Sequence, residues 1–159
     1  MSTHSYIGII KEDGILHYVY CHSDGYPSYL GAMLLNHYNS QKLAEALVNL
    51  GNLSMVRERL APNEGEHHSF EAPVRHGPNG GVTTAYHRDR NEPLEIYHES
   101  VDTSDVSVNA KTEFLKILKE ENITYGYLYD NTEKKWYAVD TLQDCGFNLL
   151  NRTYISTHS

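Results

Sequence analysis

The segment Tyr20–Pro27 brings a thiol, an imidazole and a carboxylate close together in the chain. A thiolate activated by a neighbouring imidazole is the arrangement that nucleophilic catalysis by cysteine requires. Successive residues of a strand point to opposite sides, so Cys21 and His22 are predicted to diverge if the preceding strand continues through them. We therefore interpret Cys21 as a small buried hydrophobic residue. The other side chains of this loop are candidates for binding a ligand or a partner: His22, Asp24 and Tyr26.

A second group of candidates lies at His87–Arg90, after a predicted strand. Guanidinium groups bind phosphate and carboxylate in a bidentate manner, so paired arginines in an acidic chain indicate a small anionic ligand. The alternative is structural, with an ion-pair network around Asp89 that fixes a turn. A mixed outcome is expected, in which one arginine binds Asp89 or Asp24 and the other is free for a ligand. The candidates for ligand or partner binding are His87, Arg88 and Arg90.

The remaining histidines and the cysteines do not form a recognisable metal site. Zinc ligands recur at short characteristic spacings, and the chain has no His-Glu-x-x-His or Cys-x-x-Cys sequence. His67 and His68 are interpreted as solvated loop residues, and we expect neither a metal nor a cofactor. Cys21 and Cys145 permit at most one disulfide, and we interpret both as thiols.

The charge balance limits the classes of partner. Lys and Arg number 13 against 21 Asp and Glu, a net charge of −8 with neutral histidines. This charge argues against nucleic acid and anionic membrane as partners. The 13 tyrosines favour protein interfaces, because tyrosine supplies a large contact area with a polar tip. No apolar run long enough for a membrane span and no leader pattern is present, so a cytoplasmic location is predicted.

Apolar periodicity predicts the elements that must position these residues. Two strands joined at Asp13-Gly14 form a hairpin, and two helices follow with Ser28 and Ser40 as N-caps. A short helical turn is predicted after Gly51, and the segment 61–81 is predicted to be a long mobile loop. The predicted strands are Ser5–Ile10, Ile15–Tyr20, Val82–His87, Leu94–His98, Tyr125–Tyr129 and Lys135–Asp140. The predicted helices are Ser28–Tyr38, Gln41–Leu50, one turn within Asn52–Leu60, and Ala110–Glu121.

This order of elements lacks the regular alternation of strand and helix that a parallel sheet requires. We predict a single α+β domain over residues 1–159, with a mainly antiparallel sheet built from hairpins and helices packed on one face. The residues predicted to be buried in its core include Leu34, Leu47 and Leu118.

Two segments resemble the signatures of an uncharacterised family of small proteins encoded by phages and prophages. They are Ser5–Ile9, with the pattern Ser-x-Ile-Gly-Ile, and Tyr20–Pro27, with Tyr-Cys-His-x-Asp-Gly-Tyr-Pro. Ala85–Arg90 is similar to a further signature of that family, and the resemblance ends at Pro93. It implies a bacterial cytoplasm during infection and a non-catalytic accessory protein that binds and inhibits a host protein or defence system, or sequesters its ligand.

Two other functions are consistent with the residues. A small hydrolase or transferase acting on a phosphorylated or nucleotide substrate would use His22, Asp24, His87 and Arg88, and would need the two loops to share one pocket. An interaction module would instead form a homo-oligomer through its edge strands. An acidic, tyrosine-rich surface favours a basic protein partner over nucleic acid.

Overall fold

The computed structural model describes residues 3–11, 13–100, 106–143 and 146–158. A mixed β-sheet with flanking helices accounts for these residues, which confirms the α+β class. The strands are β1 (Ser5–Ile10), β2 (Ile15–Cys21), β3 (Leu53–Met55), β4 (Thr84–Ala85), β5 (Tyr97–Ser100), β6 (Tyr125–Asp130), β7 (Lys135–Asp140) and β8 (Asn148–Leu149). The helices are α1 (Ala32–His37), which continues a π-helical turn over Pro27–Gly31, α2 (Gln41–Val48), α3 (Tyr86–Arg90), α4 (Val106–Glu120) and α5 (Arg152–His158).

The sheet has the strand order β4-β3-β2-β1-β6-β7-β8, and β5 also pairs with β2. Antiparallel pairing in the hairpins β1–β2 and β6–β7 confirms both predicted hairpins. The two hairpins are joined by parallel pairing of β1 with β6, and β2 is parallel to β3. The sheet is therefore mixed, although most of its strand pairs are antiparallel.

Both faces of the central strand β1 are buried, and they belong to different cores. Ile7 and Ile9 face a core that includes residues of α1, α2 and α5. Tyr6 and Ile10 face a second core formed with α4. The helices thus lie on both faces of the sheet, whereas the sequence predicts one face. The difference arises because β1 is buried over its whole length, a pattern typical of a strand with a parallel neighbour.

Of the two predicted N-caps, Ser40 is confirmed and Ser28 is wrong, because Ser28 lies inside the π-helical turn, whose N-cap is Tyr26. Ser40 Oγ accepts a hydrogen bond from the Leu43 N–H at 3.2 Å and caps α2 as predicted. Gly51 has φ +80°, the left-handed conformation expected just beyond a helix. The predicted core residues are also confirmed, since Leu34, Leu47 and Leu118 are all fully buried.

The predicted helical turn within Asn52–Leu60 is wrong. Leu53–Met55 forms the strand β3, and the carbonyls of Leu53 and Ser54 accept the N–H groups of His22 and Ser23, both at 3.0 Å. Backbone pairing with a distant segment has overridden the local pattern. The strand predicted over Val82–His87 is similarly shortened to Thr84–Ala85, and the helix α3 begins directly after it.

The segment 61–81 contains no helix or strand and is held to the body of the protein at several points. The Val82 N–H donates to the Val74 carbonyl at 2.7 Å, and the Phe70 N–H donates to the Asp89 carbonyl at 3.3 Å. Near its start, Arg59 and Glu66 form an ion pair at 2.7 Å. Its mobility remains a prediction.

Gly126→Ala is expected to lower the free energy of unfolding by about 1–3 kcal/mol, because overpacking forces neighbouring side chains out of place. An added Cβ would lie 2.4 Å from Leu118 Cδ1 and 3.0 Å from Phe114 Cε2, both on α4. Gly8→Ala is the matched control in the adjacent strand, where the nearest contact would be 3.1 Å. Urea unfolding curves that show equal losses for the two variants would contradict this account of how α4 packs.

Candidate functional site

A cavity of about 180 Å³ opens where β2, β3 and α3 meet. Its walls combine aromatic rings with two carboxylates, and we call it the tyrosine cleft. Tyr20 comes from β2, Tyr86 and His87 begin α3, and Glu95 precedes β5. The complete lining is Tyr20, Asn52, Tyr86, His87, Glu92, Pro93 and Glu95.

Asn52 ties together the segments that form the tyrosine cleft. Its Oδ1 accepts the Tyr20 N–H at 2.9 Å, and its Nδ2 donates to Tyr97 Oη at 3.1 Å and to Glu95 Oε2 at 3.3 Å. Its backbone N–H donates to the Glu95 carbonyl, and its carbonyl accepts the Tyr86 N–H. Side chain and backbone of Asn52 together hold three segments of the lining, at Tyr20, Tyr86 and Glu95, in a fixed arrangement.

The two glutamates give the tyrosine cleft a negative charge. The Glu95 carboxylate accepts hydrogen bonds from Asn52 and from the Tyr97 hydroxyl, which are both neutral donors. The Glu92 carboxylate lies 3.3 Å from Arg90 Nε in an exposed ion pair. His87 Nδ1 lies 2.7 Å from the Glu92 carbonyl, which fixes the ring against this segment. Within the described part of the chain, Glu95 is thus hydrogen-bonded only to neutral donors, whereas a cation that approaches Glu92 would compete with Arg90 for an exposed and weak ion pair.

A row of tyrosines continues from the tyrosine cleft across β5, β2 and β1, in which Tyr97 is exposed and Tyr18 and Tyr6 are buried. Tyr18 stacks between Tyr6 and Tyr97, with ring centroids 5.1 Å and 5.2 Å away. Burial, followed by the charge of Glu121, raises the pKa of Tyr6 to about 12, and burial raises that of Tyr18 to about 12. These phenols are therefore neutral around pH 7.

The predicted residues His22 and His87 both lie near Tyr20. His87 lines the tyrosine cleft, and His22 Nδ1 lies 3.0 Å from the Tyr20 hydroxyl. The same hydroxyl lies 2.7 Å from His4 Nδ1. The two signature loops thus approach one another across Tyr20, because β3 pairs with β2 and β4 pairs with β3.

The predicted residues Asp24 and Tyr26 do not line the tyrosine cleft. Asp24 has φ +53°, and its negative charge raises the pKa of Tyr26. The Tyr26 ring packs against Tyr29 at 6.5 Å, and Tyr29 belongs to the core around Ile7. The structure therefore divides the first loop between the two faces of the sheet.

Arg88 has a structural role. Its Nε donates to Asp89 Oδ1 at 2.9 Å, and its two terminal nitrogens donate to the carbonyls of Leu60 and Thr83. Arg90 lies 4.8 Å above the Phe70 ring and pairs with Glu92. The expectation that one arginine binds Asp89 is confirmed for Arg88, whereas Arg90 is exposed but already engaged.

The interpretation of His68 as a solvated residue is wrong. Its side chain is 1% exposed, its Nδ1 accepts the Val74 N–H at 3.0 Å, and its Nε2 lies 3.3 Å from Asp89 Oδ2. His67 is exposed, as expected. The polar composition of the loop does not reveal this burial, because Asp89 approaches from a distant part of the chain.

Cys21 is a buried residue of the core, as predicted. Its thiol lies 3.6 Å from the Ser23 carbonyl, and burial raises its pKa to about 12. A thiol with this pKa is protonated at neutral pH and is a poor nucleophile. Cys145 lies outside the described residues.

Within 3–11, 13–100, 106–143 and 146–158, no three His, Cys, Asp or Glu side chains are placed to share a metal ion. None of the helices in that part of the chain has the length and apolar character to cross a bilayer.

Sequence reasoning missed Asn52, Glu92 and Glu95. No local motif marks Asn52, since its role depends on the pairing of β3 with β2. The two glutamates flank Pro93 in a polar segment that resembles an ordinary connection. Comparison of the chain with protein-family models, with curated proteins and with solved structures returns no match.

Proposed function

We propose that this chain is a non-catalytic binding protein that takes a lysine or arginine side chain of a protein partner into the tyrosine cleft. The observation that carries the proposal is the placement of Glu92 and Glu95 beside the rings of Tyr20 and Tyr86 in one cavity of about 180 Å³. Inhibition follows when the bound basic residue is one that the partner needs.

The chemistry of the tyrosine cleft matches a cation. Carboxylates form charge-assisted hydrogen bonds to ammonium and guanidinium groups, and tyrosine faces attract the same cations by about 0.5–2 kcal/mol. The net charge of −8 acts at longer range, because it favours the approach of basic surfaces and repels acidic ones.

The resemblance of Ser5–Ile9 and Tyr20–Pro27 to phage and prophage proteins supports a bacterial setting for this binding. In that setting the partner is a host protein or a component of a defence system. Tyrosine-rich surfaces are typical of such protein interfaces, and the exposed ring of Tyr97 extends the contact area beyond the cleft.

The geometry favours binding over the alternative of a hydrolase or transferase. That enzyme would need His22, Asp24, His87 and Arg88 around one substrate. The Arg88 guanidinium is occupied by Asp89 and two backbone carbonyls, and Asp24 lies toward Tyr29 on the other face. The histidines alone do not supply the anion-binding group that a phosphorylated substrate requires.

The test is binding of a fluorescent arginine- and lysine-rich peptide, followed by anisotropy, with a glutamate-rich peptide as the negative probe. The double variant Glu92→Gln with Glu95→Gln keeps the shape of the cleft and removes its charge. We expect it to weaken binding at least tenfold, or about 1.4 kcal/mol. The matched control is Glu64→Gln with Glu71→Gln, which removes the same charge from exposed positions in the segment 61–81.

Equal weakening by both double variants would contradict the proposal, because binding would then depend on net charge alone. Tyr86→Leu keeps an apolar wall and removes the aromatic ring, so it should also weaken binding. With host lysate, the protein retained by the wild type should be retained by the control and lost by the cleft variant.

A further inference from the structure

A second cavity, of about 320 Å³, lies on the other side of the sheet. Tyr29 in its wall packs against the core around Ile7, whereas Tyr20 of the tyrosine cleft packs against the core around Tyr6. We call it the arginine cavity, after its two guanidinium groups. It is lined by Tyr29, Met55, Arg57, Glu58, Arg75 and His76.

Arg57 is a buried cation in this wall. It is 8% exposed, and its Nη1 donates to the Val82 carbonyl at 2.9 Å and to Thr84 Oγ1 at 2.8 Å. Both acceptors are neutral. None of the ion pairs among the described residues includes Arg57. The carboxylates of Glu58 and Asp24 favour the charged form of Arg57 from a distance, but neither lies within ion-pair distance of it. Because a buried cation without a contacting counter-ion is costly, binding of an anion to Arg57 would be favourable.

One edge of the Arg57 guanidinium is open to such an anion. The described hydrogen bonds give its Nη2 only the thioether of Met55, at 3.4 Å, and give its Nε no acceptor. Nε and Nη2 form the fork that binds two oxygens of a phosphate or carboxylate at once. A thioether is a weak acceptor, so an oxyanion would replace it readily.

Arg75 brings a second positive charge to the arginine cavity. Burial lowers the pKa of Arg57, and the charge of Arg75 acts in the same direction. Gly81 makes this approach of two arginines possible. A Cβ at Gly81 would lie 2.5 Å from the Arg75 carbonyl oxygen and 2.6 Å from Arg57 Cδ. The exposed His76 adds a further donor at the mouth.

Glu58 is the carboxylate in the lining, and its oxygens are directed to the backbone. Glu58 Oε1 accepts the Gly81 N–H at 2.9 Å. Burial raises the pKa of Glu58, but the N–H groups of Glu58 and Gly81, together with the charges of His37 and Arg57, outweigh that effect and lower it. Glu58 thus holds the chain next to Arg75 in place, while the open edge of Arg57 faces the cavity.

We propose that the arginine cavity binds the phosphate group of a small phosphorylated molecule, with Arg57 as the buried anchor and Arg75 as the second cation. The volume is in the range of small-molecule sites, and Tyr29 and Met55 supply an apolar wall for the rest of the ligand. This site is separate from the tyrosine cleft, and its proposal does not depend on the function proposed there.

The test follows the Nε–H signal of Arg57 in ¹⁵N NMR spectra at constant ionic strength. The probes are inorganic phosphate, adenosine monophosphate and, as the uncharged comparison, adenosine. We expect saturable shifts of the Arg57 Nε–H signal with phosphate and tighter binding of adenosine monophosphate, with no shift of this signal by adenosine. No shift with either phosphate probe, or equal shifts with chloride, would overturn the proposal.

Variants separate a specific site from general attraction to positive charge. Arg75→Gln is exposed and should weaken phosphate binding at least tenfold without unfolding the protein. Lys116→Gln on α4 is the matched control, since it removes one exposed charge and should leave binding unchanged. Arg57→Lys retains the charge but loses the fork, so it should weaken binding too. Equal affinities of wild type and Arg75→Gln would refute the assignment.

Discussion

Asp89→Ala is expected to lower the free energy of unfolding by about 3–5 kcal/mol, the cost of removing one partner from a buried ion pair. The Asp89 side chain is 6% exposed and joins the stretch from β4 to α3 to the segment 61–81. It accepts the Ala85 N–H at 2.8 Å and the Arg88 Nε–H at 2.9 Å, and it faces the buried His68. Its loss leaves the buried Ala85 N–H without its acceptor and removes the carboxylate from beside Arg88 and His68. Urea unfolding at neutral pH measures the effect.

Arg90→Ala is the control for Asp89→Ala, because Arg90 belongs to the same helix but its ion pair with Glu92 is exposed. Its loss should cost about 0–1 kcal/mol. If the two variants lost comparable free energy of unfolding, the buried Asp89 would contribute no more to stability than the exposed Arg90. The outcome would then contradict the structural role assigned to Arg88 and Asp89.

The contribution of Asp89 also has a defined pH dependence. Burial raises the pKa of Asp89, but the hydrogen bonds from Arg88 and from the Ala85 N–H outweigh it, so the folded pKa lies below 3.8. A lowered carboxyl pKa stabilises the folded state above the unfolded pKa, and this stability is lost as the pH falls through the folded pKa. The difference between wild type and Asp89→Ala should therefore shrink below about pH 4.

Leu47→Ala should cost about 2–5 kcal/mol, since it removes a buried side chain and leaves a cavity in a packed core. Leu47 is 0% exposed on the inner side of α2, in the core with Ile7 and Val19. Leu43→Ala on the same helix is the comparison, because Leu43 is 38% exposed and its loss should stay within about 0.5 kcal/mol. A small loss for Leu47→Ala would mean that α2 does not pack through this side.

The elements with strong local signals were predictable from sequence. Asp13-Gly14 between two apolar segments indicated the first hairpin, and Ser40 with Gly51 indicated both ends of the α2 region. β3 was not predictable, because its three residues become a strand only by pairing with β2 and β4. The second core was also not predicted. The sequence of β1 is apolar on both faces, but it does not indicate which helix covers each face.

Some residues of the candidate sites were likewise recognisable from sequence, and others were not. His22 and His87 were recognised by residue type, and both lie around Tyr20. Asn52 holds the lining of the tyrosine cleft together, and Arg57 is the buried cation of the arginine cavity. Neither residue lies in a sequence motif that would mark it. Their importance depends on burial and on partners at Glu95 and Val82, which only the folded chain brings close.

The parallel pairing of β1 with β6 places Ser5 opposite Tyr125, so the centre of the sheet joins segments far apart in the chain. On a ribosome, the β1–β2 hairpin emerges early, and the opposite edge of β1 stays open until β6 has been synthesised. Closing so large a loop is slow, and an open apolar strand edge is prone to aggregation. The nascent protein therefore passes through a long interval in which its most buried strand has an unprotected edge, a natural point for a chaperone to act.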